Sequence, residues 1–457
     1  MIEINPLRKR KLYASDLKLG MYVCELDRPW NETPFLFQGF PLLTVEELQA
    51  VQACCSFVFI DELRRVTVNL DRPGNPATEP LRHNRPVAPA AEPARQVRRP
   101  PVATPKLRRA PRPVQQIKRE ALSVEVQNAR ASHRKTSAVV KDLFLAIKLG
   151  RGIDVGDCRT VVRNNLESLL RNESALLWLS RMKRQDDYTS QHCLAVSVMA
   201  MGFGRYLGVD RIGLEQLGLA GLLHDVGKIK IDPQILNKPG KLTAEEFAQM
   251  QAHAEIGYQL LAENRDLPPM VLDVTRDHHE RLDGRGYPRR LGAVQIADYT
   301  RLISIIDCFD AITSPRVYDQ ARSVKDAFKV LMDSRETQYD AELVLQFIEW
   351  LGIFPVGTLV ELHTGEIGLV VEKNPELKLR PKVVVLIDQD GQRCPPRFLD
   401  LAKVCVDAES NPYRITRGLP DGTRGLNMID PEVQALLDNR ELQDMDDPVG
   451  TSSPQPS

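Results

Sequence analysis

The chain has 457 residues, with 61 Lys and Arg balanced by 61 Asp and Glu. A chain of this length is longer than a single hydrophobic core usually accommodates, so we expect two or three domains with linkers. The balanced charge excludes a net field that would draw the protein to nucleic acid or an anionic membrane. The eight cysteines lack the paired spacing of a disulfide framework or a cysteine-rich zinc site.

The N-terminal sequence has no apolar core of signal-peptide length, and no stretch approaches the roughly 18 apolar residues of a membrane span. Unpaired cysteines fit the reducing conditions of the cytosol. We therefore expect a soluble cytoplasmic protein without a membrane partner or a specific nucleic-acid partner.

The N-terminal region, residues 1–72, mixes strand-like runs at 21–24 and 57–60 with a helical patch near 45–55. This pattern predicts a small α+β module. In residues 73–116 proline, alanine and arginine dominate, which favours an extended, disordered linker. The basic linker leaves a contact with nucleic acid or an acidic partner open, but a solvated tether is the favoured interpretation.

Helical patterning resumes near residue 117 and continues to about residue 350. Apolar residues such as Ile296, Tyr299 and Ile303 recur at the three- and four-residue spacing of a buried helix face. We divide this region into a helical segment, 117–185, and a mainly α-helical domain, 186–350, that carries the candidate site.

The C-terminal region changes to a period of two with β-branched residues, as in residues 382–387. Turn signals at Thr364-Gly365 and Asp390-Gly391 separate the runs. The pattern predicts a small antiparallel β module over residues 355–406. Residues 407–457 are rich in turn-forming and acidic residues, and we expect that tail to be mostly disordered.

Five of the eight histidines lie between residues 192 and 279. His224 and Asp225 end an apolar run, residues 217–223, that predicts a buried helix. Adjacent helical residues point about 100° apart, so a mononuclear site would use only one of the two comfortably. A dinuclear cluster can use both, with the carboxylate of Asp225 bridging two cations. Lys228 lies on the same helical face, where its ammonium could meet a phosphate oxygen.

Other ligand-type residues also fall on helix faces that are predicted to be buried. His253 lies on a helix whose core face is predicted to include Phe247 and Met250. Asp307 continues an apolar stripe, and an ionised carboxylate in apolar packing is costly unless it is paired or binds a metal. A single inward histidine is more often a hydrogen-bonded core residue, so the inference depends on the whole set. The candidate ligands are His192, His224, Asp225, His253, His278, His279 and Asp307. Imidazole and carboxylate together suit iron, manganese or zinc better than magnesium or calcium.

The order of motifs from residue 186 to about 347 resembles that of HD-GYP domains, a family of metal-dependent phosphodiesterases. The matching segments are 187–189 with His192, 224–228, 235–240, His253 with Gly257, 278–280 with 283–288, and 307–311 followed by Arg316 and Tyr318. Residues 1 to about 70 are similar to an uncharacterised domain that often precedes HD-GYP domains. The resemblance implies a helical HD fold, two divalent transition-metal ions of iron or manganese, and hydrolysis of the bacterial second messenger cyclic di-GMP to linear pGpG or GMP.

The chain departs from the family pattern at two positions. Members with a third metal usually carry a glutamate four residues before the first histidine, where this chain has Tyr188. A two-metal site is therefore expected. Asp319 replaces a lysine that related sequences often have, which leaves Lys228 and Arg316 as the expected phosphate contacts. Asp225 and Lys228 are the expected catalytic residues. Tyr287 of the Gly-Tyr-Pro segment is expected at the mouth of the site, where it either contacts substrate or packs.

Other function classes stay open from the sequence. One is an HD-type nucleotidohydrolase with a mononuclear site, and another is a non-catalytic cyclic-dinucleotide sensor or interaction protein. Degenerate family members usually lose ligands or the lysine, whereas this chain keeps His224, Asp225 and Lys228. The sequence also leaves open a mixed cyclic dinucleotide as the substrate. It likewise leaves open a homodimer and protein partners that bind the Gly-Tyr-Pro loop and the N-terminal module.

Overall fold

The computed structural model describes residues 9–27, 40–42, 45–65, 120, 122–149, 151, 155–181, 188–314, 321–374, 377–403, 406–407, 410–426, 430, 433 and 435. The chain divides into two compact units, residues 1–99 with 375–379 and residues 100–374 with 380–457. Among the described helices, none combines the length and apolar character needed to cross a membrane.

In its described residues the first unit contains a four-stranded antiparallel sheet and one α-helix. Its elements are β1 (Lys9–Tyr13), β2 (Met21–Leu26), β3 (Phe40–Pro41), α1 (Val45–Cys54) and β4 (Phe57–Arg65). The strand order is β1-β4-β2-β3. Val23, Val51 and Val58 are fully buried in its core. The α+β class predicted for this region is confirmed. The predicted linker, residues 73–116, lies outside the described residues.

The second unit begins with three helices, α2 (Leu122–Lys148), α3 (Val155–Arg171) and α4 (Glu173–Arg181). An ion pair between a buried glutamate and a partly exposed arginine joins α2 to α3. The Glu125 carboxylate accepts hydrogen bonds from Arg171 Nε at 2.7 Å and from Ser168 Oγ at 2.5 Å. Glu125 is fully buried, and such paired, hydrogen-bonded charges are the form in which ionised groups tolerate burial.

Eight further α-helices complete the described helical part of this unit. They are α5 (Tyr188–Tyr206), α6 (Arg211–Leu223), α7 (Pro233–Leu236), α8 (Ala244–Ala262), α9 (Pro269–Asp277), α10 (Asp298–Thr313), α11 (Val324–Asp333) and α12 (Ala341–Leu351). Side-chain caps define several starts: Asp210 caps α6, and Thr243 forms a capping box with Glu246 at α8. The predicted helical class is confirmed.

One packing prediction on α8 is wrong. Phe247 was expected on the buried face of the helix, but 49% of the residue is exposed. The buried residues of α8 are His253, Ala254, Gly257 and Leu261. The helix therefore enters the core only from His253 onward, and its first turns lie at the surface.

The C-terminal part of the unit is a five-stranded antiparallel sheet. Its strands are β5 (Leu359–Leu362), β6 (Ile367–Glu372), β7 (Lys382–Ile387), β8 (Arg393–Asp400) and β9 (Ile415–Leu419), in the order β8-β7-β6-β5-β9. Leu369 and Val384 on one face of the sheet share a core with Val126 of α2 and Trp178 of α4. The sheet thus packs on the helical part of the same unit.

The predicted end of the β module at residue 406 is too early. β9 pairs with β5, with Leu359 opposite Leu419, inside the segment that was expected to be mostly disordered. β9 is half-buried or exposed along its length, and its central residues, Thr416, Arg417 and Gly418, do not alternate between apolar and polar. It therefore lacks the alternation by which strands are predicted.

Candidate metal centre

The seven candidate ligands come from five helices and the turns that follow them. His192 lies in the second turn of α5, and His253 lies in the middle of α8. His224 directly follows α6, and His278 directly follows α9. The structure brings all seven together in two adjoining groups, and within each group the candidate ligand atoms lie within 4.8 Å of one another. The first group is His192, His224 and Asp307, and the second is Asp225, His253, His278 and His279.

Asp225 connects the two groups. Its Oδ2 lies 3.6 Å from His192 Nε2 and 3.4 Å from His224 Nε2. Its Oδ1 lies 3.3 Å from His253 Nε2 and 3.6 Å from His278 Nε2. Asp225 is fully buried. Each carboxylate oxygen therefore faces a different set of imidazoles, which is the arrangement required of a carboxylate that bridges two cations.

The backbone sets the tautomer of three histidines. The Nδ1 atoms of His224, His253 and His278 each lie within hydrogen-bonding distance of a main-chain carbonyl oxygen. The acceptors are Gly221 at 2.8 Å, Met250 at 2.6 Å and Thr275 at 3.0 Å. A carbonyl only accepts, so each Nδ1 carries a proton and each Nε2 atom points into the cluster.

The donor atoms in this cluster fit divalent cations. His224 Nε2 and Asp225 Oδ1 are buried without a hydrogen-bond partner among the described residues. The Nε2 atoms of His253 and His278 lie only 3.4 Å apart. Two imidazole lone pairs that face each other repel, and a buried carboxylate oxygen without a partner is unfavourable. A cation bound between these atoms would remove both penalties. The combination of imidazole nitrogen and carboxylate oxygen suits transition metals.

His192 is held by a carboxylate that the sequence analysis did not assign to the site. Its Nδ1 lies 2.6 Å from Asp310 Oδ2, while its Nε2 lies 3.0 Å from Asp307 Oδ1. Asp310 is one helical turn beyond Asp307 on α10. Carboxylates in this position orient a ligating imidazole and raise its basicity. The spacing of the two aspartates was the available sequence signal.

The charges of the cluster favour ligation. Burial alone raises the pKa of a carboxyl group, but Lys228 and His224 outweigh it and hold the pKa of Asp225 well below its usual value. The histidine neighbours do the same for Asp307. Burial lowers the pKa of His253 to about 3. The carboxylates are thus ionised and His253 is neutral, which are the ligating forms.

His224 differs from His253. Burial lowers its pKa, but the adjacent carboxylates of Asp225 and Asp307 outweigh burial and raise it to about 10. A cation bound by His224 Nε2 would therefore have to displace a proton, and its binding would weaken as the pH falls.

Lys228 lies beside the cluster on a short 3-10 turn, Val226–Lys230. Its ammonium contacts Asp225 Oδ2. Burial lowers the pKa of Lys228, but the carboxylates of Asp225 and Asp307 outweigh it, so the net shift is upward and the ammonium stays charged. The side chain is 22% exposed. A fixed positive charge therefore stands between the buried cluster and solvent.

Gly227 allows this turn to pack on α8. A Cβ atom at Gly227 would lie 2.0 Å from the carbonyl oxygen of His253 and 2.6 Å from the nitrogen of Gly257. Any side chain here would push the turn away from α8. The close approach therefore keeps Asp225 and Lys228 beside His253.

The Gly-Tyr-Pro loop is anchored by the carboxylates that flank the histidine doublet. Glu280 accepts hydrogen bonds from the main-chain nitrogens of Arg289 at 2.6 Å and Leu291 at 2.8 Å. Asp277 accepts one from Arg289 Nε at 2.9 Å. Neither acid was predicted as a site residue. Their position beside His278 and His279 was a sequence signal for such a role.

The loop folds back onto the candidate ligands. A Cβ atom at Gly286 would lie 2.5 Å from Glu280 Cα, so only glycine permits this approach. The Tyr287 ring stacks on the His279 ring with centroids 4.7 Å apart and an interplanar angle of 28°. Tyr287 thus covers His279. Arg316 and Asp319 lie outside the described residues.

Three family models match the chain. An HD domain covers residues 166–343, a domain of unknown function (DUF3391) covers residues 9–158, and a KOW domain associated with the HD domain covers residues 359–404. A cyclic di-GMP phosphodiesterase of Pseudomonas aeruginosa is 32% identical over 397 residues, which is 86% of this chain and 89% of that protein.

The chain belongs to the HD-GYP family. The resemblance inferred from the motifs is thereby confirmed. Two further relatives match shorter stretches of the chain. The cyclic di-GMP phosphodiesterase response regulator RpfG of Xanthomonas campestris is 37% identical over 172 residues, covering 36% of this chain and 45% of that protein. A 3′3′-cGAMP-specific phosphodiesterase of Vibrio cholerae is 34% identical over 171 residues, covering 37% of this chain and 36% of that protein.

Among solved structures, an HDGYP-type protein from Bdellovibrio bacteriovorus is similar with a TM-score of 0.42 and 19% identity, covering 49% of this chain and 71% of that one. HD-domain phosphohydrolases bind divalent metals, and the two ligand groups of this HD-GYP chain suit such ions.

Proposed function

We propose that the chain is a metal-dependent phosphodiesterase that hydrolyses cyclic di-GMP to linear pGpG or GMP. The observation that carries the proposal is the position of Asp225, which presents one oxygen to each of two histidine groups. A mononuclear nucleotidohydrolase site has no need of the second group. The similarity to the Pseudomonas phosphodiesterase over 86% of the chain supports the same substrate.

The two ligand groups would hold two cations, with Asp225 shared between them. His192, His224 and Asp307 would hold one cation, and His253, His278 and His279 the other. Mixed nitrogen and oxygen donors favour transition metals such as iron, manganese or zinc over magnesium or calcium. Within that set we assign iron or manganese to both positions, as the resemblance to the HD-GYP family implies. Bound cations supply Lewis acidity towards the phosphodiester and lower the pKa of water.

The protein's own groups bind and orient the substrate. Lys228 presents a fixed ammonium beside the cluster, and we assign it the phosphoryl oxygens, where negative charge increases in the transition state of phosphoryl transfer. We also assign Arg316 a phosphate contact, although this residue lies outside the described part of the chain. Tyr287 stacks on His279 and covers it, so its first role is to hold the ligand and exclude water.

A mixed cyclic dinucleotide is the second candidate substrate. A Vibrio cholerae relative at 34% identity is named as specific for 3′3′-cGAMP. The metal centre binds the phosphodiester, which both dinucleotides share, so the two substrates have to be compared directly.

The test is anaerobic purification, metal analysis, and identification of products from cyclic di-GMP and 3′3′-cGAMP in parallel. We expect about two transition-metal ions per chain and faster hydrolysis of cyclic di-GMP. A folded protein with one metal or none, inert towards both dinucleotides, would contradict the proposal. Preferential hydrolysis of 3′3′-cGAMP would make this dinucleotide the substrate, and the proposed metal-dependent hydrolysis of a phosphodiester would still stand.

The other parts of the chain are assigned supporting roles. We infer that the N-terminal module, residues 1–72, is a regulatory or partner-binding unit, and that the Gly-Tyr-Pro loop also contacts protein partners. The domain boundaries and a homodimer remain predictions that size measurement of the purified protein and limited proteolysis would examine.

A further inference from the structure

Phe247 is an exposed aromatic residue beside the metal centre. It lies in the first turn of α8, six residues before His253, and 49% of it is exposed. Its ring meets the Tyr287 ring edge to face, with centroids 6.3 Å apart and an interplanar angle of 79°. Tyr287 in turn stacks on His279. Only two ring contacts therefore separate Phe247 from a candidate metal ligand.

The backbone beneath Phe247 is held in place. The capping box of Thr243 and Glu246 fixes the start of α8. The Lys238 ammonium adds an ion pair to both oxygens of Glu246, at 2.7 and 2.6 Å. The ring is therefore presented to solvent from a rigid helix end. Single exposed apolar residues are common at protein surfaces, but this one combines a fixed backbone with a place at the edge of the site.

We propose that Phe247 is a stacking platform for one nucleobase of the cyclic dinucleotide. This inference rests on the proposed function, because it requires a phosphodiester with a base attached to be bound at the metal centre. Flat π faces of bases stack on aromatic side chains, and the interaction is tolerant of base identity. Phe247 would thus contribute affinity for a dinucleotide without distinguishing guanine from adenine.

The experiment is steady-state kinetics on Phe247→Ala, Phe247→Leu and Phe247→Trp in the full chain with its metals. In the Ala and Leu variants, the KM for cyclic di-GMP should rise about tenfold to a hundredfold, since stacking on one aromatic ring contributes that much per base. The kcat should stay near the wild-type value. Trp should keep the wild-type KM because it retains a π face, whereas Leu keeps only the apolar character.

Two controls separate stacking from a structural role. Dimethyl phosphate is a phosphodiester without any aromatic ring, and its hydrolysis, followed by methanol release, should be unchanged in all three variants, as should the metal content. Ile212→Ala removes another exposed apolar side chain, 70% exposed, at the opposite end of α6 from His224, roughly 18 Å away along the helix. This variant should behave as wild type with both substrates.

The outcomes are distinguishable from those that test the proposed function. If wild type hydrolyses cyclic di-GMP and Phe247→Ala keeps the wild-type KM, the stacking proposal is overturned and the proposed function stands. Equal losses on both substrates, or loss of metal, would show that Phe247 supports the centre structurally, which also overturns the proposal. If wild type hydrolyses dimethyl phosphate but no cyclic dinucleotide, both proposals fail together.

Discussion

The ligand cluster and the rim formed by Tyr287 and Phe247 differ in burial and in how each is held. In the cluster, Asp225 and His224 are fully buried, and the Asp225 carboxylate lies against the His224 ring nitrogen Nε2. On the rim, Phe247 is half-exposed and its ring contacts the Tyr287 ring, which stacks on His279. The comparison indicates that the interior sets the chemistry, whereas the rim adjusts how tightly a substrate is held.

The largest effect is expected at Asp225. Asp225→Ala should abolish turnover and lower the content of both metals, because its two oxygens face different ligand groups. Asp307→Ala is the matched control, since Asp307 belongs to one group only. It should lower the content of one metal. Metal analysis and activity measurement check both, and equal metal loss in the two variants would contradict a bridging role for Asp225.

Lys228→Ala should keep the metals and the fold but lose on the order of 10²–10³ in rate, the usual effect of removing one preorganised group that stabilises charge in the transition state. Lys230→Ala, on the same 3-10 turn but exposed, should leave the rate unchanged. Near wild-type turnover by Lys228→Ala would show that this lysine only balances the charge of Asp225.

An intermediate effect is expected at Asp310, which orients His192. Asp310→Asn should weaken metal affinity or activity by about 10-fold to 100-fold, as for other groups that hold a ligating imidazole. Asp333→Asn is the control because its pair with Lys329 is exposed and contributes little. Metal titration with a competing chelator measures the difference. If both variants bind metal equally well, the contact with His192 has no influence on the centre.

The smallest effect on chemistry is expected from removing residues 1–114. The N-terminal sheet has its own core, with Val23, Val51 and Val58 fully buried, and none of the candidate ligands lies in that unit. The shortened protein should fold, bind metal and keep its specific activity, with changes confined to regulation. An insoluble or metal-free product would show that the N-terminal module is part of the catalytic unit.

The sequence predicted the composition of the site better than its surroundings. Spacing and motif order selected all seven residues that the structure brings together, because ligands on buried helix faces leave a periodic pattern. The same periodicity misplaced Phe247, since it identifies a helix face but not the length over which neighbouring elements cover that face. β9 was missed because Thr416, Arg417 and Gly418 follow one another in its middle, so its sequence shows no alternation of apolar and polar residues.

By itself, the sequence determined the helical class, the order of the motifs and the identities of the candidate ligands, because these depend on local spacing and residue chemistry. Only the tertiary structure decided how the ligands divide into two groups and which oxygen of Asp225 faces each one. It also decided that Asp310 holds His192, a contact between residues 118 positions apart. Such pairings depend on how separate helices cross in space, and no local pattern in the chain encodes a crossing.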